Sequence, residues 1–280
     1  MRLNDRKDRS SNPWGDYMDL ADAIEYVRPS IVQIAVLPGA AAHGTQLNVL
    51  GTGFWVSEDG LVMTARHVVE DAQRLMASLP GSRLMIGQSI PSITDPEFTI
   101  RGSFNYLESE VVEEDPRHDI ALIQAMQNPF ATEQRPFIKT PAPDTDVYPL
   151  LGLATLSTSE VREGEQIGVS GYPLAEPALV TTSGGVASAL GVNIQQAQAL
   201  GAPPGYTIPN TANTYLADVT VNPGNSGGPV YRISDGGVIG VCVAFRIGRS
   251  SNGTGMFSYN SGLSVVVPIK YGRELIARHG

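Results

Sequence analysis

Cysteine is nearly absent from this 280-residue chain, in which Cys242 is the single example. An internal disulfide and a zinc site made of cysteines are therefore excluded. No stretch approaches the roughly 18 consecutive apolar residues that span a bilayer, so no membrane span is expected. The net charge of −9 is spread along the chain without a basic block, which makes nucleic acid a poor candidate as a partner. The fold must therefore depend on its hydrophobic core.

The first twenty residues mix charges of both signs, and no apolar stretch follows them. They lack the central region of a secretory signal. We therefore expect a cytoplasmic protein, or a secreted or periplasmic one if the natural start of the chain has been trimmed.

The sequence consists mainly of short apolar runs separated by turn residues, and the chain contains 30 glycines and 20 prolines. Six runs rich in β-branched residues lie in each half of the chain, and a proline-rich connector at 128–146 separates them. Helical spacing predicts one helix over Asp16–Val27 and another from Pro268 onward. We therefore predict an all-β protein. The predicted parts are a polar tail and helix at 1–29, a first six-stranded barrel at 30–145, and a second such barrel with a C-terminal helix at 146–280.

One serine stands in an unusually constrained stretch, VNPGNSGGPV, where glycines and prolines surround Ser226. A serine hydroxyl is a weak nucleophile and needs a base within hydrogen-bonding reach. The chain has four histidines. His67, in VMTARHVVEDA, follows a predicted buried strand, and we expect a loop or a single helical turn to hold it beside a cleft. His43 and His279 are expected to be solvated, and His118 to be a surface residue.

An acidic side chain is needed to orient the base, and Asp119 in RHDIALIQ is the preferred candidate. It directly precedes an apolar strand, where a carboxylate is partly kept from water and can hold an imidazole in one tautomer. The alternatives Asp115, Asp144 and Asp146 lie in polar segments.

Three motifs, TARHVV with His67, DIAL with Asp119 and GNSGGP with Ser226, occur in an order that resembles the trypsin/chymotrypsin-type serine peptidases. The longer stretches GTGFWVSEDGLVMTARHVV, EVVEEDPRHDIALIQ and ADVTVNPGNSGGPV resemble the protease domain of HtrA-like (Deg) bacterial proteases more closely. The likeness covers most of residues 20 to 268. We expect no PDZ domain, since little sequence follows Pro268.

The resemblance implies a chymotrypsin-like fold of two antiparallel barrels with the site between them. It also implies a serine endopeptidase in which Ser226 attacks, His67 moves the proton and Asp119 orients His67. The backbone amides of Gly224 and Ser226 would form an oxyanion hole. The implied substrate is a protein or peptide, no metal or organic cofactor is required, and a regulatory partner or an oligomer stays open.

The substrate pocket is assigned from the family pattern, and its members share the absence of charge. They are Thr220, Cys242, Gly262 and Ser264. A charged side chain buried there would lack a partner, so the pattern predicts cleavage after a small or medium uncharged residue. Cys242 also fits a simple core position in an apolar strand.

Two positions depart from the family pattern. Val243 stands where many relatives have a Ser or Thr that bonds to the triad aspartate, so Asp119 is expected to lose one hydrogen bond. Asn225 replaces the aspartate that pairs with a new N-terminus in the digestive branch, which argues against activation by N-terminal cleavage.

Two further functions stay open. One is a protease-like module that binds peptides by strand addition without cleaving them, and the other is an esterase that uses the same triad. A latent protease whose glycine-rich loop at Ser226 must reorder is a further hypothesis.

Overall fold

The structure, a computed structural model, describes residues 18–39, 47–90, 93–94, 99–100, 104–131, 138–139, 146–147, 151–189, 214–251 and 256–280. His43, Asp144 and the segment 190–213 lie outside these residues.

The first barrel is a closed antiparallel sheet of six strands. They are β1 (Ile31–Leu37), β2 (Asn48–Trp55), β3 (Leu61–Ala65), β4 (Arg83–Ser89), β7 (Phe104–Asp115) and β8 (Ile120–Ala125). A separate pair of two-residue strands, β5 (Ile93–Thr94) and β6 (Thr99–Ile100), lies between β4 and β7 in sequence. The order around the barrel is β1-β2-β3-β8-β7-β4. Every residue of β3 is buried, which is why that run reads as continuously apolar.

A short pair, β9 (Ile138–Lys139) and β10 (Asp146–Val147), precedes the second barrel. The second barrel also closes from six antiparallel strands. They are β11 (Gln166–Gly171), β12 (Val180–Ser188), β13 (Tyr215–Asp218), β14 (Pro229–Arg232), β15 (Val238–Ser251) and β16 (Met256–Pro268). Their order is β11-β12-β13-β16-β15-β14. The predicted all-β fold of two six-stranded barrels is confirmed. The predicted boundary at 145/146 stays a prediction, since 140–145 is not described.

Three helices accompany the barrels in the described residues: α1 (Leu20–Val27), α2 (Arg66–Ser78) and α3 (Ile269–His279). A capping box between Asp19 and Asp22 starts α1, and α3 begins directly after Pro268 as predicted. The expectation of a loop or a single turn at His67 is wrong, because α2 runs for 13 residues. Its apolar face, Val68, Val69 and Ala72, is buried. None of the described helices is both long and apolar enough to cross a bilayer.

The larger hydrophobic core fills the first barrel and continues into the interface between the barrels, where it includes Tyr172 and Tyr231. Helix α3 follows the last strand of the second barrel but packs onto the first. A Cβ at Gly272 would lie 2.5 Å from the Met63 sulfur, so glycine permits the close approach of α3 to β3. The two barrels are thus joined by packed side chains as well as by the chain itself.

Candidate active site between the barrels

His67 and Asp119 are brought together by the turn between β7 and β8. His67 is the second residue of α2, directly after β3. One carboxylate oxygen of Asp119 lies 2.8 Å from His67 Nδ1, and the other accepts the His67 backbone N–H at 2.9 Å. Because the carboxylate holds both the ring and the backbone, the imidazole is fixed with its Nε2 edge directed away from Asp119. Val243 is buried and apolar, so its side chain donates no hydrogen bond to Asp119.

The backbone of Asp119 adopts a left-handed conformation with φ 55°. This region costs a non-glycine residue about 1–2 kcal/mol. A third hydrogen bond, from the Arg66 N–H to the Asp119 carbonyl at 3.0 Å, helps to offset that cost. The turn before β8 and the start of α2 are therefore fixed to one another at three points.

The pKa of His67 is raised above its ordinary value by its acidic neighbours. Burial lowers the pKa of His67, but the hydrogen bond that its ring donates to Asp119 and the negative charge of Asp119 outweigh that effect, with smaller contributions from Asp71 and Glu70. The side chain of His67 is 34% exposed, so the ring is also open to solvent on one side. This arrangement stabilises an imidazolium and leaves the ring accessible to a reacting group.

Ser226 lies in the loop between β13 and β14 of the second barrel, and Thr52 of the first barrel holds that loop. The Thr52 N–H donates to the Ser226 carbonyl at 2.9 Å. Its hydroxyl donates to the Gly224 carbonyl at 2.7 Å and accepts the Tyr172 N–H at 3.0 Å. Sequence reasoning missed Thr52, because its role depends on contacts with residues far along the chain.

Two glycines allow the Ser226 loop to lie directly against the strand that leads into His67. Gly227 has φ 84°, and a Cβ there would come within 2.1 Å of the Thr52 carbonyl and 2.8 Å of the Ala65 nitrogen. A Cβ at Gly51 would lie 2.7 Å from a methyl of Val68 and 2.9 Å from the Ser226 carbonyl. The backbones around positions 67 and 226 therefore converge on the same small region.

The loop before Ser226 leaves alternate amides without a protein acceptor. The N–H of Asn225 donates to the Asn222 carbonyl at 3.0 Å, and that of Gly227 to the Cys242 carbonyl at 2.7 Å. Within the residues that the structure describes, the amides of Gly224 and Ser226 donate to no protein group. Gly224 has φ 102°, a conformation suited to glycine. Two donors are thus available to a bound group.

The four residues assigned to the pocket fall into two environments. Thr220 is exposed, and its hydroxyl lies 3.8 Å from the position of a Cβ on Gly262. Cys242 packs in the smaller core, inside the second barrel, where burial raises its pKa to about 12. Ser264 is fully buried, and its hydroxyl has no hydrogen-bond partner among the residues that the structure describes. The structure brings Thr220 and Gly262 together and places the Cys242 thiol in the core.

Two residues that were expected at the polar surface are buried instead. His118 is 9% exposed, and its Nδ1 lies 2.8 Å from a carboxylate oxygen of Asp115, which is 8% exposed. The surface prediction for His118 is wrong because α3, from the far end of the chain, covers it. His279 is exposed, as expected. In the described part of the chain, no three His, Cys, Asp or Glu side chains are grouped closely enough to hold a metal ion.

Two closed barrels with a histidine–aspartate pair facing a glycine-rich serine loop define the chymotrypsin class of fold. Residues 51–241 match the trypsin-like peptidase domain family, and the chain belongs to that family. It is 28% identical over 211 residues to a probable periplasmic serine endoprotease, DegP-like, of Halomonas elongata. That alignment covers 75% of this chain and 32% of the relative. It is 29% identical over 270 residues to the mitochondrial serine protease HTRA2 of Bos taurus, which covers 96% of this chain and 44% of the relative. These relatives confirm the HtrA resemblance.

The solved structure of the HtrA-type protease AlgW with decapeptide has the same fold, with a TM-score of 0.57 and 16% sequence identity. The alignment covers 93% of this chain and 67% of that one. The chain spans less than half the length of these two curated relatives.

The expected cytoplasmic location is contradicted by the relatives. DegP-like proteins of Halomonas elongata, Pseudomonas fulva and Chlamydia muridarum are all named as periplasmic. The prediction rested on the charge pattern of the first twenty residues, and such a pattern carries no information about a leader that is removed from a mature protein.

Proposed function

We propose that this chain is a serine endopeptidase that cleaves peptide bonds through an acyl-enzyme. The observation that carries the proposal is the double hydrogen bonding of Asp119 to His67, at Nδ1 and at the backbone N–H. A carboxylate that fixes both the tautomer and the position of an imidazole is the arrangement that acyl transfer from serine requires.

Ser226 is the nucleophile in this proposal. As its oxygen attacks the substrate carbonyl, the proton moves to Nε2 of His67, which then returns it to the leaving amine. Asp119 stabilises the imidazolium that forms between these steps. The raised pKa of His67 favours proton uptake during the attack, and the neutral form that starts the reaction predominates above that pKa.

The oxyanion of the tetrahedral intermediate is bound by the amides of Gly224 and Ser226. The absence of a protein acceptor for these two donors within the described residues supports this role. One such donor is worth about 100- to 1000-fold in turnover, so the geometry at Gly224 contributes strongly to catalysis.

The substrate pocket takes a small or medium uncharged residue before the scissile bond. Thr220 and Gly262 form its accessible part, and Cys242 and Ser264 supply a neutral wall behind them. A lysine or arginine side chain would enter without a carboxylate partner. Profiling of cleavage sites in a denatured proteome tests this preference, and a majority of cuts after charged residues would contradict it.

A protein or peptide is the proposed substrate. The proposed location is a periplasmic or secreted compartment, because the DegP-like relatives are named as periplasmic. Activation through an oligomer or a regulatory partner is part of the same proposal. If purified monomer has full activity without any partner, that part is wrong.

Covalent labelling tests the proposal. A fluorophosphonate is expected to modify one residue per chain in wild type and none in Ser226→Ala, while the matched variant Ser159→Ala, at an exposed serine, keeps full labelling. Absence of labelling in folded wild type would instead favour the peptide-binding module. Activity on esters without activity on peptides would favour the esterase.

A further inference from the structure

A second histidine–carboxylate pair lies within the turn that carries Asp119. Oδ2 of Asp115 lies 2.8 Å from Nδ1 of His118, and each of these side chains is 11% exposed. Oδ1 of Asp115 also accepts the backbone N–H groups of Arg117 at 2.9 Å and of His118 at 3.2 Å. One carboxylate therefore shapes most of the four-residue connection between β7 and β8, which ends at Asp119.

Helix α3 covers this pair. The ring of His118 stacks on that of Tyr271, with 3.7 Å between the ring centroids and an angle of 11° between the planes. From the last turn of the same helix, a guanidinium nitrogen of Arg278 lies 3.6 Å from Oδ2 of Asp115. We call these four residues, Asp115, His118, Tyr271 and Arg278, the α3 clamp. The clamp connects the end of the second barrel to a turn of the first.

The turn needs support from outside itself. Asp119 has φ 55°, a left-handed conformation that is uncommon for residues other than glycine, although aspartate tolerates it better than most. The hydrogen bonds of Asp115 fix the first part of the turn, and the Tyr271 ring fixes the position of His118, the residue directly before Asp119. Movement of His118 would therefore turn the backbone that orients the Asp119 carboxylate.

We propose that the α3 clamp positions Asp119, so that docking of the C-terminal helix sets the alignment of the histidine–aspartate pair. The inference rests on the proposed serine protease function. His118 and Tyr271 act through Asp119 and touch neither substrate nor reacting atoms, so they are positioning residues. A helix that follows the second barrel then sets the position of the catalytic base in the first.

The test compares two truncations in α3. Tyr271→Ala removes the stacked ring, whereas Ile276→Ala removes a partly buried side chain of the same helix away from His118. A third variant, Tyr271→Phe, keeps the ring. The kinetic parameters kcat and KM for a peptide substrate are measured, together with the pH dependence of kcat/KM.

For Tyr271→Ala we expect kcat to fall by about 10- to 100-fold, since small misplacements of a catalytic group have effects of this size. KM should stay within about twofold, because the substrate contacts are not changed. The acidic limb of kcat/KM should move to lower pH, because a displaced Asp119 no longer raises the pKa of His67. Tyr271→Phe should retain the wild-type kcat and the wild-type acidic limb of kcat/KM. Ile276→Ala should leave that acidic limb at its wild-type pH.

A folded Tyr271→Ala variant with wild-type kcat and an unmoved acidic limb would overturn the inference. An equal shift in Ile276→Ala would overturn it too, since the effect would then reflect loss of helix stability. If Tyr271→Ala does not fold, His118→Ala removes the stack from the other side and is judged by the same two outcomes. Failure of the protease function itself is distinguishable, because the wild-type protein would then not react with a fluorophosphonate at Ser226.

Discussion

Replacement of Thr52 by valine removes a single hydroxyl that joins the two barrels. Thr52 is fully buried, and its hydroxyl donates to the Gly224 carbonyl and accepts the Tyr172 N–H. Valine has nearly the same shape, so both backbone groups lose their partner without a large cavity. Each buried group left unpaired costs about 1–3 kcal/mol. Because Gly224 is only partly buried, its carbonyl belongs at the low end of that range, and Thr52→Val should lower the free energy of unfolding by about 2–4 kcal/mol.

Activity should fall as well, because the same hydroxyl holds the Gly224 carbonyl and thereby fixes the residue whose N–H is one of the two proposed oxyanion donors. We expect kcat to decrease by at least about tenfold, with the loss of a whole oxyanion donor, about 100- to 1000-fold, as the upper limit. Urea unfolding and peptide hydrolysis measure the two effects. Thr52→Ser, which keeps the hydroxyl, is the matched control. If Thr52→Val and Thr52→Ser have the same unfolding midpoint and the same kcat, the bridging role is refuted.

Four further outcomes follow from the structure. Asp119→Asn should reduce kcat by about 10⁴-fold, as loss of the orienting carboxylate does in triads of this type. In the wild type, kcat/KM should fall as the pH is lowered, with a midpoint above 6.5, because the raised pKa of His67 leaves its ring protonated below that midpoint. A midpoint below 6.5 would contradict this expectation. Gly227→Ala should prevent folding or abolish activity, because the added Cβ would collide with backbone atoms. Gly164 has the same φ of 84°, but a Cβ there would have no atom within 4 Å, so Gly164→Ala should lower the free energy of unfolding by only about 1–2 kcal/mol in a urea titration. Equal losses of stability in the two variants would exclude a collision at Gly227 as the cause. The Cys242 thiol, with its pKa raised to about 12 by burial, should resist iodoacetamide in the native protein and react after unfolding, as followed by mass spectrometry.

The barrels could be predicted because each strand carries its own signal. Runs such as Ile31–Leu37 and Leu61–Ala65 are mostly apolar and β-rich, and the turn residues Ser30 and Gly60 mark where they begin. Helix α2 was missed for a local reason. Its N-cap residue is Ala65, which has no side chain that can cap the helix, so the chain lacks the usual marker of a helix start.

The remaining features of the site depend on contacts between distant segments. The order of His67, Asp119 and Ser226 is visible in the motifs, but the contribution of Thr52 depends on the Gly224 carbonyl, 172 positions later. The burial of His118 depends on a helix at the end of the chain. A single sequence contains no local pattern that reports such long-range partners.

The central claim is that His67 and Ser226 act as one catalytic unit across the cleft between the barrels. The most direct measurement compares kcat in Ser226→Ala, His67→Ala and the double variant. Residues of one catalytic unit are not additive, so all three variants should fall to the same residual rate. Substantial activity in His67→Ala, or a double variant whose loss equals the product of the two single losses, would contradict the account.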